Sequence, residues 1–349
     1  MKKFRINYQR TKTVFDMILV AYNERRYPFN LPEAKLPQRE ENMPKTLKFG
    51  SREHALFFFH ACYYMRGGIK SDIALFNLSR VYDAYSFIFL PETFKNLNED
   101  NLESYARSVR EKLDRFDLGY NSKETARIWS LNAKKLYDFW DSNPLNLIKG
   151  VKNYNEACAR IKNGGFSLEN RNGFLGFREK MVSMLLYFYL DADLIDPFHF
   201  PIPIDFHVMR IMVSHELIYV EGEKGSKENL LSERFLKKIR ETVIKYSKQE
   251  GINPINLCSA LWTFSRILCS KQPGNRSEIG RYKARNTQVK EKVINWTSAD
   301  VSLYEARCGL CLVSDTCLYN IPSANYYRRG ELLIRSAREE SPQGNLFKK

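Results

Sequence analysis

The chain has 349 residues, 44% of them apolar, which is enough to bury a core in one or two domains. Fifty-five Lys and Arg against 40 Asp and Glu leave a net charge of +15, which favours a polyanionic partner through attraction and counterion release. Seven cysteines follow a start, Met1-Lys2-Lys3-Phe4-Arg5, that leads into no apolar export segment, and no apolar run is long enough to span a bilayer. A disulfide framework and a membrane anchor are thereby disfavoured, and a cytoplasmic protein with thiols or metal-ligating cysteines is expected.

Taken in order, Val14, Phe15, Met17, Ile18, Leu19 and Tyr22 predict an amphipathic helix ended before Pro28. Four prolines and mixed charge between Tyr27 and Lys48 mark a linker or irregular arm. Ser51 and His54 open a helix running from Ala55 to Tyr64 that is apolar on all sides, the mark of a central core helix. It stops at Met65-Arg66-Gly67-Gly68. Ser71 or Asp72 caps the next helix, to about Phe89. Asp100 to Leu113 reads as a charged surface helix, and Asn121-Ser122-Lys123 caps another that reaches Trp140. Asn143-Pro144 starts an insert whose helix runs from Tyr154 to Ile161.

Gly173-Phe174-Leu175-Gly176-Phe177 is a short glycine-flanked turn, followed by a buried helix from Met181 to Leu190. Pro197, Pro201 and Pro203 then break the chain and deliver it to Ile204-Asp205, with Asp205 placed as the N-cap of a second apolar helix. That helix is expected from Phe206 to Leu217 and onward to Val220. A charged loop (Glu221 to Lys227), a basic amphipathic helix (Ser232 to Tyr246) and a last buried helix (Pro254 to Leu268) ending in Cys269 complete the pattern. Repeats, strand alternation and low-complexity tracts are missing, so an all-α fold is expected.

A glycine turn between two helices aims backbone N–H groups and a helix N-terminus at one point, which suits an anion, although the same turn also serves as an ordinary helix connection. Gly173, Gly176 and Arg178 are its candidate phosphate contacts. Asp205 is either a cap alone or a carboxylate beside a developing positive charge. Lys180, in the first turns of the following helix, is a candidate amine nucleophile or a surface lysine.

These segments resemble the helix-hairpin-helix DNA glycosylases of the endonuclease III superfamily. Phe174-Leu175-Gly176-Phe177-Arg178-Glu179-Lys180 is similar to that family's Leu-Pro-Gly-Val-Gly-x-Lys, with Arg178 in place of the second glycine. Ile204-Asp205-Phe206-His207-Val208-Met209-Arg210 resembles its Val-Asp-x-His-(Ile/Val)-x-Arg. Leu118-Gly119-Tyr120-Asn121-Ser122-Lys123 looks like its Gly-x-Tyr-Asn-Ser-Lys with the glycine displaced by one position. Cys308-Gly309-Leu310-Cys311 and Cys317 match the C-x2-C-x5-C end of its iron–sulfur loop.

The resemblance implies a two-domain fold. A helical barrel with the hairpin would span 51–200, a discontinuous second helical domain 1–50 and 201–325, and a tail 326–349. It implies a monomer that binds double-stranded DNA, is nucleoid-associated if bacterial, flips a damaged or modified base and cleaves its N-glycosidic bond. Lys180 would attack the sugar, form a Schiff base and confer abasic-site lyase activity, and Asp205 would stabilise the sugar cation or activate the nucleophile. His207 and Arg210 would brace the loop or touch phosphate, and Met65 or Arg66 would fill the gap left by the flipped base. Phe59, His60, Tyr63 and Tyr64 would be core or would stack in the base pocket.

Cys269, Cys308, Cys311 and Cys317 would hold a [4Fe–4S] cluster, with Cys258 the alternative fourth ligand and zinc the competing metal. Cys62 and Cys158 are read as core. The extra length at 25–50, 141–165, 190–203 and 270–307 suits an unusual substrate, such as a bulky modified base in foreign DNA. A non-catalytic DNA-binding module of the same fold and an RNA-acting glycosylase are the alternatives.

Overall fold

The computed structural model describes residues 3–65, 71–116, 121–221, 227–229, 233–269, 310–317, 327–328 and 331–333. In chain order these form β1 (Lys3–Ile6), α1 (Tyr8–Asn23), α2 (Arg52–Tyr64), α3 (Ser71–Tyr85), α4 (Leu102–Asp114), α5 (Ser122–Phe139), α6 (Tyr154–Ile161) and α7 (Glu179–Asp191). Then follow α8 (Phe206–Ser214), β2 (Ile218–Glu221), β3 (Lys227–Asn229), α9 (Glu233–Gln249), α10 (Pro254–Ile267), β4 (Tyr327–Arg328) and β5 (Glu331–Leu333). Among the described residues the protein is mostly helical, in keeping with the all-α expectation, with a few very short strands. It divides into two compact units, Leu36–Pro203 and Met1–Lys35 with Ile204–Lys349.

The hairpin-bearing unit is built around α2. Ser51 caps it by accepting a hydrogen bond from the His54 N–H, and all but its first two residues are buried. An apolar surface on every side needs neighbours on every side, and aromatic rings supply them. Phe58 stacks on Phe188 of α7 at 4.7 Å, Phe59 on Phe177 at 5.0 Å, and His60 on Trp129 of α5 at 4.1 Å. Each phenylalanine buried this way contributes about 1.5–3 kcal/mol. Several polar atoms within are satisfied: Trp129 donates to the Ile88 carbonyl (2.7 Å), Tyr189 to that of Ala55 (3.0 Å), and His60 bonds Tyr63 and the Phe89 carbonyl. Phe59, His60 and Tyr63 are therefore core, as are Cys62 and Cys158.

Asn121 starts α5 from a left-handed conformation (φ 60°), accepting from the Glu124 N–H. An Asn tolerates that conformation better than most residues. The helix expected to reach Phe89 ends at Tyr85 and continues as a 3-10 turn, Ser86–Phe89.

In the other unit, α1 packs on α9 and α10. Phe15 meets Tyr246 edge-on at 5.1 Å, and the Tyr246 hydroxyl donates to Asp16 (2.7 Å). The helix beginning at Phe206 is shorter than its apolar pattern predicts. It stops at Ser214, where Glu216 turns left-handed (φ 52°) and the Leu217 N–H closes back on the Met212 carbonyl (2.9 Å). Beyond that stop, Ile218-Tyr219-Val220, rich in β-branched and aromatic residues, pairs antiparallel with β1, Ile6 opposite Ile218 and Lys3 opposite Glu221. The partner strand lies more than 200 residues away, so local pattern could not reveal it. β3, β5 and β4 pair antiparallel in that order.

Burial holds three histidines neutral: His54 is pushed down to about 4, and His60 and His215 to about 3. Unfolded, each titrates near 6.5, so below that pH the unfolded chain binds more protons and stability drains away. The melting temperature should fall steadily from pH 7 to pH 5, a window in which most carboxylates stay ionised. His60→Phe, which keeps a ring on Trp129, should flatten that slope. A melting temperature independent of pH over this window would contradict the neutral, buried assignment.

Candidate functional site

The glycine hairpin is held by α5. Asn132 donates from Nδ2 to the Leu175 carbonyl and accepts at Oδ1 from the Leu175 N–H, both at 2.9 Å. One turn on, Lys135 donates to the Gly173 carbonyl at 2.7 Å, with its ammonium 5.9 Å from the Phe174 ring centre. Lys135 is only 1% exposed, and burial pulls its pKa below the ordinary lysine value. Neither residue stood out among the motifs. The signal was there, since Ile128, Leu131, Asn132, Lys135 and Leu136 share the buried stripe of α5.

A second layer ties the hairpin to the end of α6. The Gly173 N–H donates to the Arg160 carbonyl (2.8 Å), Phe174 to Ile161 (2.8 Å), Gly164 to Phe174 (3.1 Å) and Asn163 to Phe177 (2.9 Å). Gly173 and Gly176 both have positive φ, 80° and 81°, which glycine adopts without strain. Gly164 is needed for another reason. A Cβ there would lie 2.5 Å from the Phe174 carbonyl carbon and 2.6 Å from that of Gly173.

This wiring narrows the expected anion site. The N–H groups of Gly173, Phe174, Leu175 and Phe177 are spent inside the protein, so Gly173 serves the hairpin by conformation. What faces outward is the start of α7, whose N-cap Arg178 makes no side-chain cap.

Lys180 is the second residue of α7, with an exposed side chain. It lines a cavity of about 660 Å³ together with Tyr64, Asn121, Glu124, Phe177 and Arg178. The buried Cys62 thiol, pushed up by burial, feels the opposing pull of the Lys180 charge, so the ammonium stands within electrostatic reach of α2. Ahead of it, Glu179 pairs with Lys162 at 3.0 Å, and its carbonyl accepts from Tyr154 at 2.9 Å. Of the four aromatics at the end of α2, Tyr64 alone borders this cavity. Met65 ends α2 as its C-cap, 8% exposed, and Arg66 falls outside the described residues.

Asp205 belongs to the other unit. It caps α8 as the sequence predicts, with one carboxylate oxygen accepting from the N–H groups of His207 (2.9 Å) and Val208 (3.0 Å). His207 and Arg210 both reach Ser265 of α10 at 3.3 Å, and His207 meets Trp262 edge-on at 5.8 Å. Both side chains therefore brace α8 against α10.

Cys269 is buried just after α10, whereas Cys311 and Cys317 are partly exposed in the segment 310–317. Arg10 fastens this segment by donating to the Thr316 carbonyl (2.7 Å), and His215 bonds the Thr316 hydroxyl (2.8 Å). Cys308 and the expected insertion, 270–307, lie outside the described residues. Among the described residues no group of three or more His, Cys, Asp or Glu is placed to hold a metal ion.

A family model, AGOG, described as N-glycosylase/DNA lyase, matches residues 127–296. That span takes in most of α5, the hairpin, α7 with Lys180, the Asp205 cap and α10, so the helix-hairpin-helix DNA glycosylase resemblance carried by the motifs holds there. No curated protein matches the chain. No helix among the described residues is long and apolar enough to cross a membrane.

The two glycines side by side offer a controlled test of the hairpin's packing. Gly164→Ala should destabilise the protein by about 1–3 kcal/mol, the usual range for overpacking. Gly165→Ala, whose added Cβ meets nothing within 4 Å, should be near neutral. Urea unfolding of the pair would show this, and equal effects would refute the close backbone approach.

Proposed function

With N-glycosylase/DNA lyase chemistry as the premise, we propose that this chain flips a damaged or modified base out of duplex DNA and cleaves its N-glycosidic bond, with Lys180 as nucleophile and Asp205 as the stabilising carboxylate. The observation that carries this reading is the position of Lys180. It sits on the first turn of α7, lining a cavity of nucleotide size, next to a hairpin fixed by side-chain bonds from α5. The start of α7 and Arg178 supply N–H and guanidinium donors for a DNA phosphate.

In this reading the Lys180 amine attacks C1′ of the sugar. The C1′–N bond breaks, and its electron pair leaves with the base, which picks up a proton. Loss of a proton from the new ammonium and opening of the sugar ring give a Schiff base, from which elimination of the 3′ phosphate cleaves the strand. Positive charge builds on the sugar as the base departs, and the Asp205 carboxylate opposes it at no reorganisation cost, since two N–H groups of α8 already hold it.

We also propose that Cys269, Cys308, Cys311 and Cys317 bind a structural [4Fe–4S] cluster, supported by their spacing and by the anchoring of 311–317 through Thr316. The group would stiffen a basic segment and take no part in bond cleavage. The purified protein should be yellow-brown, and Cys311→Ser should bleach it while Cys258→Ser does not. Colourless protein with stoichiometric zinc would reject this assignment.

Catalysis is tested on duplexes bearing oxidised, deaminated, alkylated and hypermodified bases. Borohydride should trap a covalent adduct on the correct substrate, and Lys180→Gln should abolish it without loss of fold. Asp205→Asn keeps an acceptor oxygen for the cap but removes the charge, so base release should drop by a factor on the order of 100 to 1,000. If Asp205→Asn excises at the parental rate, the residue is only a cap. If Lys180→Gln loses strand cleavage alone, water rather than the amine attacks C1′.

A further inference from the structure

A second cavity, of about 520 Å³, lies in the same unit and is lined in part by Arg160, whose carbonyl holds the Gly173 N–H. Lys149, Arg160 and Arg171 line it, together with Trp140 and Asp141. Among the described residues no carboxylate pairs with any of these three cations. Asp141, the one acid in the lining, accepts instead from Asn146 at 3.3 Å. Three cations against one carboxylate leave the lining with excess positive charge, which an incoming anion offsets.

The cavity is also built rather than accidental. Trp140, 5% exposed, donates from its indole N–H to the Arg171 carbonyl at 3.0 Å, while the Arg171 guanidinium lies 4.5 Å from the centre of its ring. Arg171 is thus held at both its backbone and its side chain. Arg160 donates to the carbonyls of Lys149 (2.8 Å) and Leu147 (3.2 Å), which fixes the loop that carries Lys149. A preoriented guanidinium held on an aromatic face, with an ammonium lining the same cavity, suits a phosphate, because the guanidinium fork matches its oxygens and the second cation offsets its charge.

We propose that this cavity binds a backbone phosphodiester of the DNA, one that lies beyond the phosphate held by the hairpin and the start of α7. The site is continuous in sequence with the hairpin, as Arg171 and Asn172 run directly into Gly173 and the Arg160 carbonyl holds the Gly173 N–H. It rests on the reading of the protein as a DNA glycosylase but involves neither Lys180 nor Asp205. It would lengthen the footprint without reading sequence, since phosphate contacts carry no base information.

The test measures binding of the full chain to unmodified duplex, so it can be read even if no base is excised. Lys149→Ala and Arg171→Ala together should weaken affinity about 10-fold, the cost expected for a charge-assisted contact. The slope of log affinity against log salt should become shallower by about 0.9 per phosphate lost. Single neutral methylphosphonate linkages, scanned along each strand, should find one position that weakens wild-type binding and leaves the double variant indifferent. Lys149→Ala alone, which leaves the Arg171–Trp140 contact intact, should give part of the effect with an unchanged melting temperature. Equal salt slopes for wild type and variant, or no linkage to which only the wild type is sensitive, would overturn the proposal. It would equally be overturned if inorganic phosphate or thymidine monophosphate bound through Arg171 while duplex affinity stayed the same. Failure to release a base from any of the modified duplexes would instead count against the glycosylase reading alone.

Discussion

The hairpin's place depends on a polar grip from inside a helix. Asn132 completes both hydrogen bonds of Leu175 as a neighbouring strand would, and Lys135 holds the Gly173 carbonyl from a site closed to water. Buried amides and ammonium groups destabilise a core when unpaired, so these bonds to the hairpin backbone favour one position for it. Everything downstream inherits that position. Phe174 and Phe177 pack beneath it, Arg178 takes the N-cap position of the next helix, and Lys180 follows at a fixed offset along α7. A lysine on a flexible stem is placed only as well as the backbone that carries it, and here that backbone is held by hydrogen bonds rather than by apolar packing alone.

The unit that carries Asp205 solves the same problem differently. Its carboxylate is fixed by helix N–H groups, and the helix is braced at one serine, Ser265, approached by both His207 and Arg210. Two conspicuous polar side chains of the Asp-x-His motif, His207 and Arg210, thus spend hydrogen bonds on internal bracing. The third buried histidine, His215, bonds Thr316 from the far end of the same helix region and stays neutral, so it adds no charge to the interior.

The sequence made the helices legible because burial patterns here are strong and local. α2, apolar on all sides, and α7, with its apolar run, could hardly be anything but core helices. The Asp205 cap was equally legible, since capping is decided within four residues. What escaped reading was decided at a distance. The strand Ile218–Glu221 forms only because Lys3–Ile6 comes to pair with it, and nothing near position 218 announces that partner. Lys135 looked like its neighbour Lys134, which is tied at the surface to Asp138 (2.7 Å). Two adjacent lysines take opposite environments because a 100° step on a helix separates core from solvent. The hairpin motif suggested more outward N–H groups than it has, since the carbonyls of Arg160 and Ile161 that claim them come from the preceding helix's end.

The close approach of Gly164 and Gly173 has a consequence for how this protein can change. The two residues bracket a surface excursion, 165–172, whose ends are already pinned together by backbone bonds and by contact too tight for a Cβ. A loop whose ends are fixed by its anchors costs little more when it is lengthened, since closure entropy grows only logarithmically with length. Phe166, exposed at the surface with the Arg127 guanidinium 5.3 Å from its ring centre, and Arg171 on Trp140 show that such a segment can acquire its own contacts. The excursion is therefore a place where residues can be inserted, deleted or exchanged while Lys180 beyond it keeps its position.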